Sequence, residues 1–389
     1  MKPALGDRSI FPSLTGAAYL NHAAISPACL PSQLAVRQAT DDYARLGFGA
    51  FPIWETNRQR LRQHLAQLIG AAPQEIAFGL NTGRGVTDIA LCLPWKAKDR
   101  VLCFDGEFPA NVTAWQQAAK LFDLECLMHQ ASAFETDEGL EKLELQLRRG
   151  LRLVAVSAVQ FQTGLRMPLK QMGELCHAYG AELFVDAIQA AGIVPIDVVD
   201  EHIDYLSCGG HKWLLGFEGA SFVYAKQSCA EKLRPYTAGW TSRKNPIDFL
   251  RDGPGLLRYD HPIREDIQFI EGGTMNLLGL AALGATVPML LELGVGAIFR
   301  HVSDYLDQLE LGLSCRGFHS MRSADENKRS GIYCVQHPSV NLQTLAIQLR
   351  ERGVSVGYPD GNLRFAPHFG NRLDEVPVVL DTIDQLLAR

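Results

Sequence analysis

The sequence predicts an α/β fold: a large domain whose mostly parallel sheet is covered by helices, followed by a smaller α+β C-terminal domain. Three observations carry this. From about residue 59 to 226, short β-branched or aromatic runs alternate with helical patterns; the rhythm breaks over 234–266; and a second, shorter alternation of helix and strand closes the chain.

The strand-like runs, in order, are IAFGL (76–80), RVLCF (100–104), LECLM (124–128), LRLVAVSAV (151–159), AELFVD (181–186), DYLSC (204–208) and GASFVYA (219–225). Nearly continuous apolar runs of this kind suit strands covered on both faces. Between them, 111–122 and 169–179 space apolar residues at three and four, as crossover helices do. The stretch 234–266 mixes Pro, Gly and Arg and is too long for an ordinary connection, a length associated with functional loops. Residues 272–291 carry no charge over twenty positions, about the length of a membrane span. Asn276, Thr286, Pro288 and four glycines interrupt that run, carboxylates flank it, and no Trp or Tyr marks an interface. The expectation is therefore a helix buried in a large core. Beyond it the pattern reads helix 299–313, strand 331–335, helix 340–352, strands 354–356 and 363–365, and helix 374–387.

The 389 residues are 47% hydrophobic, with 37 Lys+Arg against 43 Asp+Glu and a net charge of -6. That is enough apolar surface for a sizeable core, which excludes a disordered chain. No Lys/Arg block offers a footprint for nucleic acid or an anionic membrane, so neither is expected as a partner. The nine cysteines form no CxxC pair and are odd in number, and the N-terminus MKPALGDRSIFPSL lacks the apolar region of a signal peptide. A reducing, cytoplasmic location is expected.

The usual nucleotide and metal motifs are missing. G-x-G-x-x-G fails at its third glycine, no Gly-Lys dipeptide exists for a P-loop, and there is no HExxH; no metal site is expected. Two other places do not read as plain structure. Asp186 ends the run Leu183–Val185, at the carboxyl end of a probable parallel strand, where open sheets bind ligands. Strand-end aspartates also serve simply to cap the next helix. Lys212 follows a Gly-Gly-His turn and precedes Trp-Leu-Leu, which is not the setting of a solvated lysine; the glycines before it suggest a backbone closely approached by a ligand. Desolvation would lower its pKa, and a neutral lysine amine forms Schiff bases, while a carboxylate in the same site could hold a pyridinium nitrogen protonated.

Five segments, YLNHAAISP (19–27), VDAIQAAG (185–192), SCGGHKWLLG (207–216), EGGTMN (271–276) and LRFAPHFGN (363–371), resemble in order the class V aminotransferases. These are pyridoxal-phosphate enzymes of the aspartate aminotransferase fold and include cysteine desulfurases, isopenicillin-epimerase-like proteins and kynureninases. The resemblance covers nearly the whole chain. It implies an N-terminal segment 1–18 packing on the small domain, a large cofactor-binding domain 19–290, and a small domain 291–389.

By position, the resemblance makes Lys212 the Schiff-base lysine and proton shuttle, Asp186 the partner of the cofactor's ring nitrogen, and Gln189 a contact to its 3-hydroxyl. His211 would contact the phosphate. The phosphate cup would begin at Asn81, Thr82 and Gly83, before a helix whose free N–H groups suit a dianion. Many members carry a hydroxyl residue at the position of Gly83 and an acid at that of Arg84. Phe108 matches the residue that stacks on the ring, and Gln160, with Phe161, stands where desulfurases have Ser-Asn. Thr274 would touch the phosphate of the other subunit in a homodimer. Arg364 matches the arginine that grips the substrate's α-carboxylate, with Asn21 and His22 lining the same pocket.

Desulfurases place a nucleophilic cysteine in the loop before the carboxylate-binding arginine, and here residues 357–362 contain none. Cys334 and Cys208 lie in apolar strands, as structural thiols do. Desulfurase activity is therefore disfavoured. Transamination of an amino acid is the first expectation, with β-elimination at a C–S bond or epimerisation as alternatives. A cofactor-binding regulator is a further alternative, but no basic helix is left over for DNA. Arg84, Arg243, Trp240 and Tyr358 are expected to shape the side-chain pocket, the two arginines suiting an acidic or oxidised-sulfur side chain.

Overall fold

The computed structural model describes residues 3–388. A two-residue strand β1 (Ala18–Tyr19) precedes helices α1 (Leu30–Leu46) and α2 (Phe51–Ile69). The main alternation then runs β2 (Ile76–Gly79), α3 (Thr82–Cys92), β3 (Arg100–Asp105), α4 (Ala110–Phe122), β4 (Glu125–Gln130), α5 (Glu138–Leu147), β5 (Leu153–Ser157), α6 (Leu169–Ala178), β6 (Glu182–Asp186), β7 (Tyr205–Gly209) and β8 (Ser221–Ala225). Short helices α7 (Gln227–Ala230) and α8 (Asp248–Arg251) punctuate the irregular stretch that follows. The remainder is α9 (Leu277–Leu293), α10 (Val295–Ser314), β9 (His319–Ser320), β10 (Tyr333–Gln336), α11 (Leu342–Glu351), β11 (Val354–Ser355), β12 (Leu363–Phe365) and α12 (Glu375–Leu387).

Seven strands form one sheet in the order β2-β8-β7-β6-β5-β3-β4. All run parallel except β8, which is antiparallel to both neighbours, so β2 again points with the rest. Successive side chains along a strand face opposite sides. Val154, Val156, Leu183 and Val185 accordingly enter one core, beneath Leu65 of α2, Leu143 of α5, Met172 of α6 and Leu283 of α9. Leu153, Ala155 and Phe184 enter the other, with Val86 and Ile89 of α3 and Trp115 of α4. β4 is the exception to the expected two-sided burial. It is an edge strand whose Glu125, Met128 and Gln130 are exposed, and charged or polar side chains there discourage pairing with another chain.

The uncharged run forms α9, which starts at Leu277 once the Asn276 side chain caps it by accepting the Gly279 N–H at 3.1 Å. It packs against α1 and α2, two helices the apolar pattern did not announce because both are mostly polar. Gly294, at φ 79°, ends it, and α10 departs at 77°. Among the described residues no single helix is long and apolar enough to cross a membrane. A second, three-stranded sheet orders β12-β10-β9, and β1 pairs with β11. The N-terminal segment is tied to the C-terminal region by Gly6 N–H to the Phe369 carbonyl, 2.7 Å, and Arg8 to Glu375, 3.4 Å.

Because β2, β3, β5, β6 and β7 point the same way, the residues that follow their carboxyl ends converge on one rim of the sheet, where open α/β sheets bind ligands. Those are the positions of Thr82, Phe108, Gln160, Asp186 and Lys212.

Candidate active site

Asp186 ends β6 in register with Ser207 of β7, and Lys212 follows β7 by three residues. Asp186 is 2% exposed, and among the described residues its carboxylate accepts one hydrogen bond, from the Ile188 N–H at 3.0 Å. Burial pushes its pKa up to about 7, and the nearby Glu107 charge adds to this while Lys212 opposes it. A buried, nearly unpartnered carboxylate is costly, and a cation placed beside it would relieve that cost. Lys212 makes no ion pair within 4.0 Å among the described residues; its Nζ lies 5.7 Å from the centroid of the Phe108 ring. Burial pulls its pKa down to about 8 against the pull of Asp186, so a substantial neutral fraction exists near physiological pH.

The glycines beside Lys212 are closely approached by the protein's own atoms. A Cβ on Gly210 would lie 2.8 Å from Leu283 of α9 and one on Gly216 2.6 Å from it, so both let the lysine loop lie against that helix. Gly209 is approached by Thr82, whose Oγ accepts the Gly209 N–H at 2.9 Å. Asn81, not Thr82, is the N-cap of α3, accepting the Arg84 N–H at 2.8 Å. The N–H groups of Thr82 and Gly83 in the first turn have no intrahelical acceptor, which leaves donors for an anion on the helix axis. His211 is partly buried, its pKa lowered by burial and by the Lys212 charge.

Phe108 is 50% exposed, and its ring lies at 5.5 Å and 86° to that of Phe161. The residue before it, Glu107, is buried and accepts from the Ser157 N–H at 2.7 Å, the Ser157 hydroxyl, Gln160 Nε2 at 2.9 Å and Asn111 Nδ2 at 3.2 Å. This network fixes the Phe108 turn to the end of β5 and leaves the buried Gln160 Oε1 without a partner. Gln189 donates to the Ala23 carbonyl at 3.0 Å and accepts from the Trp213 indole at 3.0 Å; its amide holds one further N–H.

Arg364 is 5% exposed, donates to the Phe161 carbonyl at 3.0 Å, and has no carboxylate partner among the described residues. Its buried Nε is unpaired, as is Asn21 Oδ1. An uncompensated buried guanidinium is an expensive arrangement that an anionic ligand would satisfy. Both atoms flank Gly357, where an added Cβ would lie 2.9 Å from Asn21 Oδ1 and 3.1 Å from Arg364 Nε. Gly357→Ala is expected to raise KM for an α-carboxylate substrate roughly tenfold, about the value of one misplaced charged hydrogen bond, with the melting temperature little changed. Steady-state kinetics with thermal melting check this.

Other expected residues lie elsewhere. His22 is 2% exposed and packs among Tyr19, Trp213 and His368 with Nδ1 2.7 Å from Ser26 Oγ. Thr274 is exposed and bonds to none of the cluster. Arg84 folds back onto Asp88 in a two-pronged pair at 3.0 Å, Arg243 is bonded to the His261 carbonyl, Trp240 packs edge-on to Phe249, and Tyr358 is exposed. Cys334 and Cys208 are buried and their thiols are raised by burial, Cys334 up to about 12, which keeps both protonated.

The model of the aminotransferase class-V family matches residues 54–361. The chain belongs to the class-V aminotransferase family. A curated member of comparable extent, the uncharacterized aminotransferase YcbU of Bacillus subtilis, is 25% identical over 382 residues, spanning 97% of this chain and 96% of that one. A probable cysteine desulfurase of Methanothermobacter thermautotrophicus is 25% identical over 411 residues, 97% of each chain. Among solved structures, the cystine C–S lyase C-DES in complex with its product cysteine persulfide superposes with a TM-score of 0.86 at 21% identity, covering 96% of this chain and 98% of that one. The mostly parallel sheet flanked by helices is thus the fold of class-V relatives.

Within this class-V chain, Glu107, Ser26, His368 and Gly357 were not singled out in the sequence. Glu107 left a faint trace as a charge between Phe104 and Phe108; its partner Asn111 is local, but its partners Ser157 and Gln160 lie 50 and 53 residues away, which no local pattern reveals.

Proposed function

We propose that this class-V protein is a pyridoxal-phosphate-dependent enzyme acting at the Cα of an amino acid, with transamination as its reaction. The observation that carries the reading is the buried Arg364 guanidinium without a carboxylate partner, on the same rim as the depressed amine of Lys212 and the buried carboxylate of Asp186. One positive anchor for an α-carboxylate, one amine able to take a proton and one carboxylate for a ring nitrogen are what such a reaction requires.

Pyridoxal phosphate, when bound, supplies an electron-withdrawing ring that stabilises negative charge at the substrate Cα. Thr82 and Gly83 N–H groups at the start of α3 would bind its phosphate, with His211 alongside, and the half-exposed ring of Phe108 would stack on its ring, a contact worth about 0.5–1.5 kcal/mol beyond burial. Asp186 would hold a proton on the ring nitrogen. Gln189 offers its remaining N–H to the ring oxygen, and Gln160 Oε1 is a further acceptor at the rim. Arg364, with Asn21, orients the substrate carboxylate. The Lys212 amine would take the proton from Cα and pass it to the cofactor rather than back to Cα, and its lowered pKa keeps it in the neutral, proton-accepting form more often than a solvated lysine.

The exposed Thr274 supports a homodimer in which that residue reaches the partner's phosphate site, and the location is cytoplasmic in this reading. A desulfurase is disfavoured because the loop 357–362 holds no thiol and the nearby Cys334 is buried and protonated.

A single-turnover screen of amino acids tests the reaction. Release of a keto acid with the amino group left on the cofactor supports transamination. Pyruvate with the cofactor unchanged would replace it by C–S elimination, and solvent deuterium at Cα without keto acid would replace it by epimerisation. A protein that stays colourless once excess added cofactor is removed would defeat the cofactor-dependent reading altogether.

A further inference from the structure

We infer that Ser26 is a positioning residue for Lys212, holding the lysine's backbone through the carbonyls of its loop; the inference rests on Lys212 being the cofactor lysine. Three successive carbonyls are held. Ser26 N–H donates to the His211 carbonyl at 2.9 Å, Ser26 Oγ donates to the Lys212 carbonyl at 2.6 Å, and His368 Nε2 donates to the Trp213 carbonyl at 2.9 Å.

The proton positions follow from the partners. Phe369 N–H donates to His368 Nδ1 at 2.7 Å, so Nε2 carries that ring's hydrogen. The single hydroxyl hydrogen of Ser26 is spent on Lys212, so the 2.7 Å contact with His22 is a donation from His22 Nδ1. His22 thereby points the serine hydroxyl at the lysine carbonyl. Burial depresses both imidazoles, which keeps these neutral forms across the working pH range.

The loop needs such restraint. Leu215 sits at φ 59°, a left-handed conformation unfavourable for a branched side chain, which persists only where surrounding bonds over-determine it. The Ser26 segment is also joined to the strand that carries Arg364: Ala366 N–H donates to the Leu20 carbonyl at 2.8 Å and His22 N–H to the Ala366 carbonyl at 3.1 Å. One short segment, residues 20–26, therefore sets both the lysine loop and the carboxylate-binding strand, which fixes the amine relative to the anchored substrate.

The test compares wild type with Ser26→Ala, Ser26→Thr and His22→Phe, with Lys212→Ala as control. Hydrogen exchange is followed over residues 211–216 in protein stripped of cofactor. The pH midpoint for forming a borohydride-trapped adduct with pyridoxal phosphate is the second readout. Losing one buried hydrogen bond predicts roughly tenfold faster exchange in Ser26→Ala. Its adduct midpoint should rise, because a loosened loop returns the amine to water. Ser26→Thr should restore both, and His22→Phe should move both in the same direction by less, answering the question if Ser26→Ala does not fold.

Wild-type values for both readouts in Ser26→Ala, or faster exchange with an unmoved midpoint, would overturn the inference. An adduct still formed by Lys212→Ala would instead defeat the reading of Lys212, and the inference with it.

Discussion

Lys212→Ala is expected to fold, to form no borohydride-trapped adduct with pyridoxal phosphate, and to lose at least about a thousandfold in turnover, the scale of a positioned acid–base group. The lysine is partly buried, carries no ion pair within 4.0 Å among the described residues and faces the ring of Phe108, so its removal breaks no salt bridge and opens only modest space. Its stability cost should be small for that reason. Mass spectrometry after borohydride reduction reads the adduct, and rapid-mixing kinetics read the turnover. A variant that still forms the adduct, or turns over within tenfold of wild type, would remove Lys212 from the centre of the mechanism.

Asp186→Asn should lower turnover by roughly a hundredfold or more, the scale of one preorganised electrostatic partner in a dry site. The asparagine oxygen can still accept the Ile188 N–H, so the fold of the turn is retained while the charge is lost. The sign of the accompanying pH effect is determined. Asp186 raises the pKa of Lys212, which burial holds at about 8; without that carboxylate the amine loses its proton more easily. The pH midpoint of adduct formation should move below its wild-type position near 8, while turnover falls at every pH. A midpoint that stays or moves upward would show that the two groups do not interact as their burial implies.

The rhythm of strand and helix was legible because each strand of the sheet interior is buried on both faces and writes an unbroken apolar run, as in Leu183–Val185. Asp186 and Lys212 stood out against those runs as charges in apolar settings. The edge strand β4 and the mostly polar α1 and α2 were less legible, since partial burial leaves a weaker pattern. The glycines beside Lys212 signalled close approach, and the structure shows that atoms of Leu283 and Thr82 are among those that approach. The orientation of His22 was not legible, because adjacency to Asn21 in sequence does not say which side of the segment each side chain occupies. Its ring turned inward against Trp213 and His368.

The sequence by itself determined the fold class and the family resemblance, because both are written in local patterns; Lys212 and Asp186 came forward as candidates from their apolar settings, and Arg364 through the resemblance. Only the tertiary structure decided that Arg364 lacks a carboxylate partner, that Glu107 braces the Phe108 turn from β5, that Arg84 is spent on Asp88, and that Ser26 holds the Lys212 loop. Each of these is a contact, or the lack of one, that only the folded chain settles. Ser26 and Lys212 lie 186 positions apart, and even the four-residue pairing of Arg84 with Asp88 depends on which way a side chain turns, a choice made by packing and desolvation in the folded chain.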